Sequence, residues 1–294
     1  MREANEQKKE TDAPEKADRQ WFRSVGLRVL TALVGIPIVL AMVWMGGWWA
    51  FALALLVTIV AISELRAMMR HEGYQPVMLV SFALALLFLV AAMLPKQRLL
   101  LLEVGISLAL LASFPVFFFR KKLEGAMVDW SLTVAIAFYL GWPMSCMLIL
   151  RGSQVGLGNG LWWLLTLFGG VWGFDTGAFF AGHFFGRHKL APRISPGKTW
   201  EGVFGGLIFS IAAAVLFTTL PMGTPWYLAV VLGMLVGAAA VLGDLAESLL
   251  KRQTHVKDSG QFLPGHGGML DRIDSLLFAV LIIFVFALFT GNLS

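Results

Sequence analysis

Apolar residues in this chain fall into long, nearly charge-free runs, and runs of that length decide what the backbone can become. Of 294 residues, 58% are hydrophobic and only 14% are charged, whereas an ordinary soluble domain carries roughly 25% charged residues. The pattern argues for many membrane spans rather than one large soluble core. It predicts an all-α integral membrane protein with about nine transmembrane helices, at roughly 26–45, 47–65, 77–94, 99–119, 128–150, 160–184, 202–220, 227–249 and 275–290. Several of these lie near the lower limit of about 17 residues for a spanning helix. Only Gly46 and Gly47 separate the first two, which predicts a tight hairpin. No internal repeat stands out.

Residues 1–24 are polar and mixed in charge, and read as a disordered cytoplasmic tail ahead of a single polytopic domain over 25–294. A cleaved signal peptide is not expected, because the first apolar run starts late and leads straight into the next. The single cysteine, Cys146, excludes an intrachain disulfide and a zinc cluster and reads as a packing residue.

Orientation follows from lysine and arginine. With the N-terminus cytoplasmic, the segments on that face hold 20 of the 23 basic residues. The opposite face holds only Lys96, Arg98 and Arg151. The net charge of +5 therefore reflects topology and gives no argument for nucleic acid. Both motif-rich loops fall on the cytoplasmic side, where nucleoside triphosphates are found.

The sixth run carries Asp175 within GGVWGFDTGAFFAG. A carboxylate at membrane depth should face protein or a water-filled cavity, so Asp175 either bonds a neighbouring helix or serves function. The following loop contains Ser195-Pro196-Gly197-Lys198-Thr199, with two hydroxyls and a cation just before a helix. That composition suits phosphate, although basic residues here would also enforce topology. Farther on, Asp244, Glu247 and Ser248 share one helical face. Asp271 and Asp274 repeat the three-residue spacing at the start of the ninth run, where the helix dipole favours carboxylates. Facing Asp244 across the loop, they suggest a divalent metal site of hard oxygen donors, which favours magnesium or manganese over zinc. Lys251, Arg252, Lys257 and Arg272 are placed to engage phosphate oxygens. His266, within Pro-Gly-His-Gly-Gly, either touches a ligand or shapes the turn, and His255 reads as an exposed loop residue.

At these residues the sequence resembles the phosphatidate cytidylyltransferases, or CDP-diacylglycerol synthases. The signature S-x-[apolar]-K-R-x4-K-D…H-G-G-[apolar]-x-D-R-[apolar]-D is met at Ser248, Lys251, Arg252, Lys257, Asp258, Gly260, Pro264, His266, Gly267, Gly268, Asp271, Arg272 and Asp274. Upstream, Asp175, Ser195-Pro196, Lys198-Thr199 and Glu201-Gly202 also match, with Gly197 where a lysine often stands. The match is strong over about 160–290, the expected catalytic half. Before that, the resemblance rests mainly on hydrophobicity and the Ser63-Glu64 pair.

The resemblance implies transfer of CMP from CTP to phosphatidic acid, giving CDP-diacylglycerol and pyrophosphate at the cytoplasmic face of the inner membrane. It implies magnesium, leaves room for a second, monovalent cation, and suggests a homodimer in the lipid bilayer. Carried over by position, Asp244 and Asp271 are the leading metal ligands, followed by Asp274, Asp258 and Asp175. Catalytic roles fall to Asp244, Lys257, Asp271, Arg272 and His266. Substrate binding falls to Ser195, Lys198, Thr199, Ser248, Lys251, Arg252, Gly267 and Gly268. Two other classes compete: an ion-coupled transporter built on Asp175, Asp244 and Glu247, and a CTP-dependent lipid kinase that transfers the terminal phosphoryl group.

Overall fold

The computed structural model describes residues 33–118, 123–152, 158–262 and 267–291. The expected tail over 1–24, and with it Pro264 and His266, lies outside the described residues. Every expected span meets a helix. In chain order these are α1 (Leu33–Met45), α2 (Gly47–His71), α3 (Met78–Met93), α4 (Arg98–Phe118), α5 (Ala126–Arg151), α6 (Asn159–Phe185), α7 (Trp200–Met222), α8 (Trp226–Gln253) and α9 (Leu270–Phe289). Seven are long and apolar enough to cross a bilayer, while α1 and α3 are shorter. The chain is a multi-pass membrane protein.

Helix ends follow local chemistry. Gly46 and Gly47 take positive φ of 64° and 48° and make the expected hairpin between α1 and α2. Arg151, 2% exposed at the end of α5, ties down that hairpin by donating to the carbonyls of Val43 (2.5 Å) and Trp44 (2.6 Å). The sequence placed Arg151 in a loop, but its guanidinium satisfies carbonyls left open at the end of α1.

Small residues bring α6, α7, α8 and α9 together, as expected where lipid offers no hydrophobic drive for helices to associate. A side chain at Gly177 of α6 would place its Cβ 2.6 Å from Phe209 Cδ2 and 2.7 Å from the Gly205 carbonyl of α7. Ser210 of α7 donates to the Gly233 carbonyl of α8 at 2.9 Å. Gly243 of α8 lies directly against the Asp274 backbone of α9. Asp244 is the next residue, so this close approach brings the acidic stretches of α8 and α9 together.

Two local corrections to the sequence reading bear on function. The segment before α7 is not a plain loop: β1 (Lys189–Ala191) and β2 (Ser195–Thr199) pair antiparallel, Lys189 opposite Thr199 and Ala191 opposite Ser195. The otherwise all-α fold thus carries one small hairpin. Helix α8 also runs four residues past the expected end of its span, to Gln253. Lys251 and Arg252 are good helix formers, and Lys251 one turn after Glu247 pairs with it.

Candidate active site

Three groups of side chains meet at one end of α6, α8 and α9. The first stands at a cavity of about 560 Å3 between α6, β2, α7 and α8, whose walls include Asp175, Lys198, Thr199 and Asp244. The β hairpin carries Lys198 to this wall, and its Nζ pairs with Asp244 Oδ2 at 2.5 Å. Ser248, one turn after Asp244, donates to Asp244 Oδ1 at 3.2 Å, so the shared face read from spacing is realised. Arg252 holds the hairpin from the other side through the Ile194 carbonyl at 3.3 Å. Thr199 is buried, and its hydroxyl accepts from Gly202 N at 3.1 Å, capping α7. Asp175 is exposed on the cavity wall, as membrane depth requires of a carboxylate.

The second group is centred on Lys251. Its Nζ lies 2.9 Å from Glu247 Oε2 and 2.8 Å from Asp271 Oδ1. Asp271 Oδ2 accepts from Ser259 N (3.0 Å), Ser259 Oγ (2.9 Å) and Gly268 N (2.9 Å). Both oxygens of this carboxylate are thus held. The third is Asp274, buried behind the others, whose Oδ1 accepts from Ser275 N at 2.6 Å.

These groups form one electrostatic cluster. Asp175 lies within reach of the charges on Asp274, Asp244, Lys198 and Arg272. Asp274 in turn feels Asp244 and Lys251. Carboxylates outnumber cations in it: Asp175, Asp244, Glu247, Asp271 and Asp274 against Lys198, Lys251 and Arg272.

Among the described residues, no group of three or more His, Cys, Asp or Glu side chains is gathered as a ready-made metal cage. Lysine ammonium groups hold Asp244 and Asp271. This arrangement still fits magnesium, which takes only one or two protein carboxylates and fills its shell with water and phosphate oxygen. The donors are hard oxygens, Asp244 opens on a roomy cavity, and the cluster is short of positive charge.

Other expected residues lie at or near the surface. Lys257, Asp258, His255 and Arg272 are exposed, and His255 takes a positive φ of 52°. Ser195 sits half-buried in β2. Gly267 has φ 85°, which favours glycine, and a Cβ there would lie 3.1 Å from Asp271 Oδ2.

Two residues outside the expected set belong here. His183 lines the cavity beside Phe179, its ring nearly parallel to the phenyl ring at 6.1 Å. Glu64 of α2 is buried among the loop residues that surround Asp271. His183 is a lone polar residue in an apolar run, and Glu64 belongs to the Ser63-Glu64 pair, the signals by which sequence alone could have raised them.

A cytidylyltransferase family model matches residues 26–290. A Haemophilus influenzae phosphatidate cytidylyltransferase is 50% identical over 127 residues, which is 42% of this chain and 44% of that protein. The Brucella suis phosphatidate cytidylyltransferase is 34% identical over 262 residues, covering 88% of this chain and 92% of its own length. A Synechocystis phosphatidate cytidylyltransferase is 32% identical over 285 residues, covering 88% and 95%.

Proposed function

This chain belongs to the cytidylyltransferase family, and from that premise we propose that it transfers CMP from CTP to phosphatidic acid, giving CDP-diacylglycerol and pyrophosphate for phospholipid biosynthesis. The observation that carries the reading is the charged cavity wall set among apolar helices, with Lys198, Asp244 and Asp175 on it. A lipid with a charged head and a soluble polyanion need such a meeting place.

The chemistry is a displacement at phosphorus. The lipid phosphate monoester has a second pKa of about 6, so at cytoplasmic pH it is already largely dianionic. Its oxygen forms a bond to the CTP α-phosphorus as the bond to the β-phosphate bridging oxygen breaks, and pyrophosphate leaves. No strong general base is required. The chain must instead hold two polyanions in line, which is work for preorganised positive charge.

Lys198 presents its ammonium from the hairpin at the cavity wall, and exposed Arg272 adds a guanidinium at the start of α9. Ser248 and Ser259 hold the carboxylates of Asp244 and Asp271 in fixed orientations. Asp244 and Asp271 would hold magnesium, with Asp274 and Asp175 in the same cluster. When bound, the ion supplies charge neutralisation at the phosphate oxygens.

Topology completes the reading. Nine spans with a cytoplasmic N-terminus account for the concentration of 20 basic residues on one face. They put the hairpin and the loop after α8 on the cytoplasmic side of the inner membrane, within one polytopic domain whose catalytic half is about 160–290. A homodimer and a monovalent cation beside magnesium rest on the resemblance alone.

The decisive experiment gives purified protein phosphatidic acid with CTP labelled at either the α- or the γ-phosphate. Label from the α position should appear on lipid, and chelation of magnesium should stop it. Lipid carrying only the γ-phosphate would make the protein a kinase, and unmodified lipid would favour a transporter.

A further inference from the structure

We propose that Glu64, far from the signature region in sequence, is a positioning residue that sets the catalytic carboxylate Asp271. The assignment rests on the reading that Asp271 acts in cytidylyl transfer.

Glu64 lies at 8% exposure in the second half of α2, a buried carboxylate flanked in sequence by Ser63 and Arg66. Its Oε1 accepts from Met269 N at 2.9 Å, and its Oε2 accepts from Leu270 N at 2.9 Å and from Ser259 Oγ at 3.2 Å. Met269 and Leu270 form the start of α9, and Met269 provides no side-chain cap of its own. The first N–H groups of a helix have no partner within it and favour a negative charge. Glu64 therefore supplies from α2 the cap that α9 lacks, one residue before Asp271.

The second link is Ser259. Its hydroxyl lies 2.9 Å from Asp271 Oδ2 and 3.2 Å from Glu64 Oε2. A serine hydroxyl has one proton to donate, so the two carboxylates share it, and displacing one alters how firmly the other is held. The loop is shaped around this acid. A Cβ at Gly268 would collide with Ser259 Oγ and lie 2.7 Å from Glu64 Oε2, and one at Gly260 would lie 2.5 Å from Glu64 Oε1. Gly260 has to be small because the α2 carboxylate fills the space beside it, and Gly268 because Ser259 and that carboxylate together do. A cap serving stability alone would not need the bridge through Ser259 to Asp271.

The test uses the full-length protein in detergent as wild type, Glu64→Gln and Ser259→Ala. Hydrogen exchange is followed along the chain, and kcat and KM for CTP are measured on folded protein. Exchange should rise over 256–262 and 267–271 in Glu64→Gln while α6 and α7 keep their protection. Turnover should fall about 10–100-fold, the usual effect of losing a group that orients a working ligand, with KM for CTP unchanged. Ser259→Ala should reproduce the turnover loss in part and add little to Glu64→Gln in the double variant. If Glu64→Gln does not fold, Ser259→Ala carries the test, and unaltered turnover in it overturns the proposal. So does a Glu64→Gln protein of lower thermal stability whose folded fraction turns over normally. Wild-type protein that makes no CDP-lipid, with the exchange change present, sinks the reaction assignment and leaves the positioning of Asp271 supported.

Discussion

Replacing Lys251 with methionine should destabilise the protein far more than loss of an ordinary ion pair. An exposed pair contributes about 0–1 kcal/mol. Here the ammonium is 16% exposed and serves two carboxylates, Glu247 at 1% and Asp271 at 9% exposure. Methionine keeps much of the aliphatic stem, so the change removes charge more than packing. Asp271 retains its bonds from Ser259 and Gly268. Glu247 is worse placed, because it is 1% exposed and, besides Lys251, faces the carboxylates of Asp271 and Asp274. Stranding a buried charge in this way costs about 3–5 kcal/mol, and that is the expected loss in unfolding free energy. The assay is reversible unfolding in mixed micelles titrated with denaturing detergent. A second arm tests the cause. Glu247→Gln added to Lys251→Met removes the stranded charge, so the double variant should recover stability, with a coupling of about 0.5–3 kcal/mol. A single variant within about 1 kcal/mol of wild type, or a double variant costing the sum of the two singles, would refute the claim that Lys251 compensates Glu247.

Asp271→Asn should abolish nearly all CDP-lipid formation while the protein still inserts and elutes as folded material, since the amide oxygen can accept from Ser259 and Gly268. Lys198→Met should raise KM for CTP and lower turnover in steady-state assays, because it removes the ammonium at the cavity wall. Gly177→Ala should destabilise the α6–α7 pair by about 1–3 kcal/mol, as overpacking does; Gly35→Ala, with nothing within 4 Å of the new Cβ, is the neutral control in the same unfolding assay. Thr199→Ala should cost about 1 kcal/mol through loss of the α7 cap, measured in the same way.

The spans were legible because a bilayer demands a long apolar run from any helix that crosses it, and such a run shows in composition alone. Their ends were less so. Lys251 and Arg252 look like loop residues to a hydropathy reading, yet α8 continues through them because Glu247 lies one turn back to pair with Lys251. The hairpin over 189–199 was hidden for a related reason. Ser195-Pro196-Gly197 carries turn chemistry, and strands of three and five residues draw support from outside, here from Lys198 on Asp244 and Arg252 on the Ile194 carbonyl.

Within the site, what spacing along one helix can determine was readable: Ser248 on Asp244 and Lys251 on Glu247 are each four residues apart. Partners drawn from different elements were not. The sequence assigns Lys251 to phosphate on charge alone, whereas folding presents Asp271 to it from α9. Glu64 makes the point most sharply. A carboxylate near the end of a membrane-spanning helix announces that something polar must meet it, but periodicity gives only the face on which the meeting occurs. The partners, Ser259, Met269 and Leu270, lie about two hundred residues later. Their glycine neighbours look in sequence like a ligand-binding turn. Gly268 does donate to Asp271, yet it also has to be small to admit Ser259 and the Glu64 carboxylate that Ser259 bonds. A glycine-rich signature therefore need not mean that every glycine approaches the substrate, because some make room for the residue that positions the one that does.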